Sequence, residues 1–224
     1  MTFRPILSRG AAALLLAATL GATLSACAPL VIGGAAVGAM MAFDRRTSGA
    51  QIEDEGIELR AASRLRDAFG DRAHINLTSY NRQVLLTGEV PSEQAKQQAE
   101  QIALKVDNVK GVVNELAVMP ASSLAQRSTD TLVTGKVKAS LVDDSSLSVA
   151  AFKVVTERGV VYLMGRVTQR EAERATQLTR HIDGVQRVVR IFEIISEEEL
   201  RRLTPSMGGA APAVAPARPA SAAR

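Results

Sequence analysis

Apolar and polar positions follow the same pattern twice along the middle of the chain. Residues 84–90 (VLLTGEV) reappear 77 positions later as residues 161–167 (VYLMGRV). Apolar positions before and after the two copies also correspond, with one residue fewer after the second copy. Such self-similarity indicates one supersecondary unit that is used twice. We therefore predict two tandem units of roughly 65 residues each.

A helix opens each predicted unit, because apolar residues recur there at every fourth position. These residues are Ile57, Ala61, Leu65 and Phe69 in the first unit and Val133, Val137 and Leu141 in the second. Two strands that form a hairpin follow, at 75–79 and 84–90 in the first unit and at 152–156 and 160–167 in the second. Gly88 and Gly165 lie inside these strands, where a glycine predicts a bulge or a close backbone approach.

A second helix and a third strand complete each unit. Ser92 and Thr168 are predicted N-caps, and Thr168 with Glu171 has the spacing of a capping box. The third strands are predicted at 112–119 and 188–195. A strand–helix–strand connection normally forms a right-handed parallel crossover. The predicted fold class is α+β, with two tandem α-β-β-α-β domains, each a three-stranded mixed sheet with two helices on one face.

The chain begins with the pattern of a secretory signal peptide, since two arginines precede an uncharged apolar run from Ala11. The small residues Ser25 and Ala26 stand directly before Cys27, the only cysteine. This arrangement resembles the lipobox of bacterial lipoproteins, in which the cysteine is acylated and becomes the first residue after the signal peptide is removed. We interpret residues 1–26 as a signal peptide and Cys27 as the lipid attachment site, carrying an acyl chain such as palmitate.

A transmembrane helix is the alternative for this segment. No charged residue occurs between Ala11 and Phe43, and that length could span a bilayer. Pro29 and the many Gly and Ala residues after Cys27 favour a tether instead.

The remaining organisation follows from changes in composition. We predict a lipidated cysteine and flexible apolar linker over 27–52, the first domain over 53–119, a linker over 120–127, the second domain over 128–196, and a tail over 197–224. The tail is acidic at first and then rich in Pro and Ala. It lacks the apolar periodicity needed to pack, so we expect it to be disordered.

Two α-β-β-α-β units, each with a Val-x-Leu-x-Gly-x-Val strand, behind a lipobox resemble the BON-domain family. The resemblance covers about residues 44–195, and it is strongest to members with two such domains on an outer-membrane anchor. It implies a non-enzymatic, phospholipid-binding lipoprotein that supports outer-membrane and envelope integrity, with links to cell division and the stress response. Ala28 follows the cysteine where an aspartate would favour inner-membrane retention in known lipoproteins. The expected location is therefore the outer membrane, facing the periplasm.

The two units carry opposite net charges. Residues 53–119 contain 8 basic and 11 acidic side chains, whereas residues 127–195 contain 11 basic and 8 acidic ones. Basic residues near an anionic phospholipid surface gain about 1 kcal/mol each. An anionic membrane partner should therefore attract the second unit only.

The first helix of the second unit, predicted over 130–142, has an unusual outer side. Opposite its core stripe lie four small or apolar residues flanked by two lysines. These candidate phospholipid-binding residues are Leu132, Gly135, Lys136, Lys138, Ala139 and Val142. A helix of this kind can lie at a bilayer interface with its lysines directed toward headgroups. The corresponding positions of the first unit, Leu59, Ser63 and Arg66, predict a mostly solvated face.

Two alternatives remain open for this outer stripe. It could pack against the first unit, and the opposite charges could serve that docking. The protein could also be a periplasmic scaffold that interacts with outer-membrane assembly proteins.

Other functional classes have little support. His74 and His181 are the only histidines, and their positions predict surface or capping roles, so we expect no catalytic residue, metal site or cofactor. The acidic clusters at 53–55, 143–144 and 197–199 predict solvated helix caps. No phosphate-binding loop or nucleophile elbow occurs, and no small-molecule substrate is expected. Aromatic residues are 3% of the chain, which argues against nucleic-acid binding.

Overall fold

The computed structural model of this protein describes residues 44–203. The predicted signal peptide (1–26), the lipid attachment at Cys27, most of the first linker and the tail from residue 204 onward lie outside the described residues.

The first unit contains two helices and four strands. In chain order they are α1 (Ser48–Phe69), β1 (His74–Tyr80), β2 (Gln83–Val90), α2 (Glu93–Leu104), β3 (Gly111–Asn114) and β4 (Ala117–Val118). Strand β1 pairs antiparallel with β2, while β3 and β4 both pair parallel with β2. The predicted third strand is thus split around Leu116, whose side chain is buried while its N–H donates to the Asn114 side chain.

The second unit repeats this arrangement with an unbroken third strand. Its elements are α3 (Leu124–Asp143), β5 (Phe152–Glu157), β6 (Val160–Val167), α4 (Gln169–Arg180), β7 (Arg187–Ile194) and α5 (Glu197–Leu203). Strand β5 pairs antiparallel with β6, and β6 pairs parallel with β7. The predicted α+β fold with two tandem α-β-β-α-β units is confirmed.

Side-chain caps fix where the helices begin. Ser92 caps α2, and Thr168 with Glu171 forms the predicted capping box at α4. Caps at Thr47 and Ser123 also start α1 and α3 earlier than predicted, inside the stretches assigned to linkers. These first turns carry no apolar stripe, so periodicity alone could not place them. Helix α5 likewise occupies the first part of the predicted tail.

Both helices of each unit pack on one face of its sheet, and the opposite faces of the two sheets pack against each other. The centre of this sheet-to-sheet core comprises Tyr80, Leu85, Tyr162 and Met164, each at most 4% exposed. Strands β2 and β6 are therefore buried on both faces. Their nearly unbroken apolar runs are typical of such strands.

The charges of the two units also take part in this docking. Three cations of the second unit meet carboxylates of the first: Lys153 with Glu58 at 3.7 Å, Arg158 with Glu89 at 3.6 Å, and Arg187 with Glu115 at 3.0 Å. The opposite net charges thus contribute to the contact between the two sheets.

Arg45 is a cation of the first unit that pairs with a carboxylate of the second. It precedes α1 of the first unit, yet its guanidinium donates two hydrogen bonds of 2.7 Å to the Glu171 carboxylate on α4. Both side chains are buried, at 7% and 3% exposure. The Arg45 carbonyl also accepts a bond from Arg166. Residues just before α1 are therefore fixed to the second unit and are not a flexible linker.

A buried aspartate in the first helix of each unit holds that unit's hairpin turn. Asp54 accepts hydrogen bonds of 2.7 Å from the backbone N–H groups of residues 81 and 82. Asp130 accepts bonds of 2.8 and 2.9 Å from those of residues 158 and 159. The prediction that Asp54 is a solvated cap is wrong, because it is the acceptor for a turn and is 2% exposed.

The strand glycines allow a close backbone approach, as predicted. A β-carbon on Gly88 would lie 2.1 Å from the His74 carbonyl oxygen, and one on Gly165 would lie 2.3 Å from that of Ala151. Neither position can hold a side chain unless the backbone moves.

Candidate lipid-binding surface

The outer face of α3 is open to solvent. Its core stripe, Val133, Val137 and Leu141, is buried against the second sheet. On the opposite side Leu132 and Val142 are 68% and 59% exposed. The other four predicted residues, Gly135, Lys136, Lys138 and Ala139, are exposed as well.

The docking of the two sheets explains this exposure. Because the sheets meet through their helix-free faces, the helices of both units lie on the outside. The alternative that the first unit covers the outer stripe of α3 is therefore wrong. Helix α3 has 20 residues, so its open face is about 30 Å long.

The early start of α3 adds one exposed apolar residue to the six predicted ones. Leu124 is 79% exposed, and at 100° per residue it lies on the same side as Gly135 and Val142. The signal was present in the sequence as Ser123, a good N-cap directly before Leu124. Leu124 is thus an exposed apolar position near the start of α3, separated from the stripe by Ser128 and Thr131.

The charges around this face are mainly positive. Within residues 44–203, Lys136 and Lys138 make no ion pair, so both ammonium groups are available to an anion. Asp143 is exposed at the C-terminal end of α3, whereas Asp144 pairs with Arg174 of α4 at 2.7 Å. Hydrogen bonds from Ser146, together with this pair, lower the pKa of Asp144 to about 2.

The corresponding face of α1 is different. Leu59 and Ile52 are 73% and 71% exposed, but Glu55 and Arg66 are exposed among them. The apolar residues of α1 are therefore interrupted by charges of both signs. Of these two helices, α3 is the one with an apolar outer stripe edged by lysines.

The two histidines have different environments. His181 ends α4, and its Nδ1 lies 2.7 Å from the Gln177 carbonyl oxygen, which agrees with the predicted capping role. His74 was expected at the surface, but its side chain is only 18% exposed and lies against the buried carboxylate of Glu89. The contact arises because the two residues face each other across β1 and β2.

No helix within residues 44–203 combines the length and the apolar character needed to cross a bilayer.

Comparison with known families assigns both units. Residues 53–120 and 129–195 each match the family described as BON domain. The chain belongs to the BON-domain family. The first sheet with α1 and α2 is thus the first BON domain, and the second sheet with α3 and α4 is the second.

Several proteins resemble the chain over much of its length. It is 40% identical over 184 residues to the outer membrane lipoprotein DolP of Haemophilus influenzae, covering 80% of this chain and 95% of that protein. It is 32% identical over 154 residues to a 21 kDa hemolysin of Actinobacillus pleuropneumoniae, covering 68% and 79%. It is 30% identical over 141 residues to the osmotically-inducible protein Y of Escherichia coli, covering 61% and 70%.

Proposed function

We propose that this protein is a non-enzymatic outer-membrane lipoprotein that faces the periplasm and binds anionic phospholipid through the α3 face of its second BON domain. Binding at that face would help to maintain the integrity of the envelope. The observation that carries the proposal is the open apolar stripe of α3, whose edges hold Lys136 and Lys138, neither of which forms an ion pair with another described residue. Similarity to DolP, which is named an outer membrane lipoprotein, supports the anchor and the location.

The mechanism is attachment at two points. An acyl chain on Cys27 would hold the protein near the leaflet, and α3 would make a second, weaker contact. Tethering converts the second binding step into an intramolecular one at high effective concentration. A single weak contact can then respond to lipid composition, because lysines near an anionic surface gain about 1 kcal/mol each and the apolar stripe adds buried area.

Liposome flotation tests the contact without the anchor. A chain that begins at Asp44 retains both cores and should float with liposomes that contain phosphatidylglycerol but not with neutral ones. Binding should weaken as salt is raised, because exposed charges are screened. Leu132→Glu should abolish flotation. Leu59→Glu, at the equally exposed position of α1, is the matched control and should leave it unchanged.

Two results would contradict the proposal: equal flotation with neutral liposomes, or flotation that Leu132→Glu does not change. If no liposome binds the protein, the alternative function gains support, namely a periplasmic scaffold for outer-membrane assembly proteins.

A further inference from the structure

A cluster of three potential metal ligands lies where the two BON domains meet. His74 and Glu89 are paired across β1 and β2 of the first domain, and Glu157 ends β5 of the second. Each residue offers one ligand atom, and these atoms all lie within 4.8 Å of one another. No spacing in the sequence predicts this site, because the three residues come together only through strand register and domain docking.

Glu89 is unusually buried for a carboxylate. Its side chain is fully shielded from solvent. One oxygen, Oε2, accepts a bond from the Ser122 N–H at 3.1 Å and meets His74 Nδ1 at 2.9 Å. The other oxygen, Oε1, is buried and has no hydrogen-bond donor among the described residues. The nearest cation, Arg158 Nη1, stays 3.6 Å away. A buried carboxylate oxygen that accepts no hydrogen bond is unfavourable unless something else binds it.

Glu157 adds a second buried carboxylate close to the first. It is 7% exposed, and Asn76 Nδ2 donates a bond of 2.8 Å to its Oε2. Burial raises the pKa of Glu157 against the effect of this bond, and the negative charge of Glu89 raises it further. Burial also acts to raise the pKa of Glu89, but the bonds from Ser122 and His74 outweigh it, so that pKa lies below its ordinary value. The two carboxylates face one nearby cation, Arg158, so the cluster retains negative charge that a metal ion would neutralise.

The ligand types select a class of cation. One imidazole nitrogen with two carboxylate oxygens suits zinc and similar divalent transition metals, whereas calcium and magnesium prefer oxygen ligands alone. Three protein ligands leave the fourth tetrahedral position to water. Ligand atoms on one such ion lie roughly 3.4 Å apart at bond lengths of about 2.1 Å. The farthest pair must therefore close by at most about 1.4 Å, which is within the reach of rotation about glutamate side-chain bonds.

The cluster is open to ions from two sides. A cleft of about 520 Å³ is lined by His74 and Glu89 together with Arg127. A second cavity of about 220 Å³ is lined by His74 and Glu157 together with Asp130. Solvent therefore reaches the edge of the cluster without separation of the two domains, and the shielded Glu89 side chain must rotate to meet an ion that enters there.

We propose that His74, Glu89 and Glu157 bind one divalent transition-metal ion of the zinc class, which connects the two BON domains. This inference is independent of the proposed lipid contact, because the ligands lie between the sheets and not on α3.

Zinc titration of the untagged full chain in detergent tests the site. After chelator treatment, calorimetry at neutral pH should show one Zn²⁺ bound per chain that is absent in Glu157→Gln. The glutamine keeps an oxygen that can accept the Asn76 bond, so this variant should fold normally. Loss of a residue that only hydrogen-bonds a metal ligand weakens metal binding 10–100-fold, so removal of a ligand should weaken it by at least that much. His181→Gln is the matched control, because it removes the other histidine and should leave the affinity unchanged.

Denaturation gives a second readout. Zn²⁺ should raise the urea midpoint of the wild type and of His181→Gln, because an ion that binds only the folded state stabilises it. It should not raise the midpoint of Glu157→Gln. The proposal is overturned if the wild type binds no Zn²⁺, or if Glu157→Gln binds it as well as the wild type. Displacement of Zn²⁺ by equimolar Mg²⁺ or Ca²⁺ would overturn the assignment to the zinc class.

Discussion

Replacing Arg45 by methionine should destabilise the protein strongly, because it leaves the Glu171 carboxylate buried without its cation. The two side chains are 7% and 3% exposed and are joined by two bonds of 2.7 Å. Removing one partner of a buried ion pair costs about 3–5 kcal/mol. Glu171 keeps the hydrogen bond from the Thr168 N–H, so we expect a loss near the lower limit, about 3 kcal/mol.

Urea unfolding at neutral pH measures this loss directly. Arg60→Met is the matched control, because Arg60 and Glu53 form an ion pair of the same length with 40% and 32% exposed side chains. Exposed pairs contribute at most about 1 kcal/mol. The double variant Arg45→Met/Glu171→Gln should recover part of the stability, since it removes the unpaired charge. If Arg45→Met loses no more than Arg60→Met, the reasoning about this buried pair is refuted.

The pH dependence gives the same prediction a second test. Burial acts to raise the pKa of Glu171, but the bonds from Arg45 and Thr168 outweigh it and hold the pKa below its ordinary value. The resulting stabilisation is present above the ordinary glutamate pKa and is lost as pH falls through the lowered value. Without Arg45 the pKa of Glu171 should rise, so the penalty applies where the carboxyl is ionised. The difference between wild type and Arg45→Met should therefore shrink in acid.

Three further predictions concern the lipid face, the glycines and the hairpin turns. Lys136→Glu should lower partitioning onto anionic liposomes about 30-fold, since reversing one charge weakens the attraction to the anionic surface by about 2 kcal/mol. Flotation measures this loss, and Lys110→Glu is the control. Gly135→Ala should raise the unfolding free energy by about 0.5–1 kcal/mol, because the site is an open helix position. Gly165→Ala should lower the thermal midpoint sharply, because its β-carbon would lie 2.3 Å from the Ala151 carbonyl oxygen. Asp130→Ala should cost about 3 kcal/mol in urea unfolding, since two backbone donors of its turn lose a charged acceptor.

Local patterns were sufficient to predict the fold of each domain. Each signal lies in or next to the element that it predicts. These signals are the repeated strand motif, the apolar residue at every fourth helix position, and the caps at Ser92 and Thr168. The apolar outer side of α3 could also be predicted, because the sequence of a helix shows which residues lie on each of its sides. Whether that side stays open depends on how the two domains dock. The start of α3 was misplaced, since the turn after Ser123 has a cap but no apolar stripe.

Contacts between the domains could not be predicted from the same patterns. Arg45 and Glu171 are 126 positions apart, and Asn76 and Glu157 are 81 apart, so no local spacing relates them. The apolar run at residues 160–164 of β6 did carry a signal. It indicates a strand buried on both faces, although it does not identify the second covering layer.

The docking of the sheets determines which surfaces remain for a partner. One face of each sheet packs against the helices of its own domain, and the other face packs against the sheet of the other domain. The helices of the two domains therefore lie on opposite outer sides. A flat bilayer can therefore contact only one helix layer at a time. The layers differ in charge, since α1 and α2 contain 4 basic and 7 acidic residues and α3 and α4 contain 6 basic and 4 acidic ones. Under the proposed function, an anionic leaflet would attract the side of α3 and repel that of α1. The face with the apolar outer stripe is thus also the one that the charges direct toward lipid.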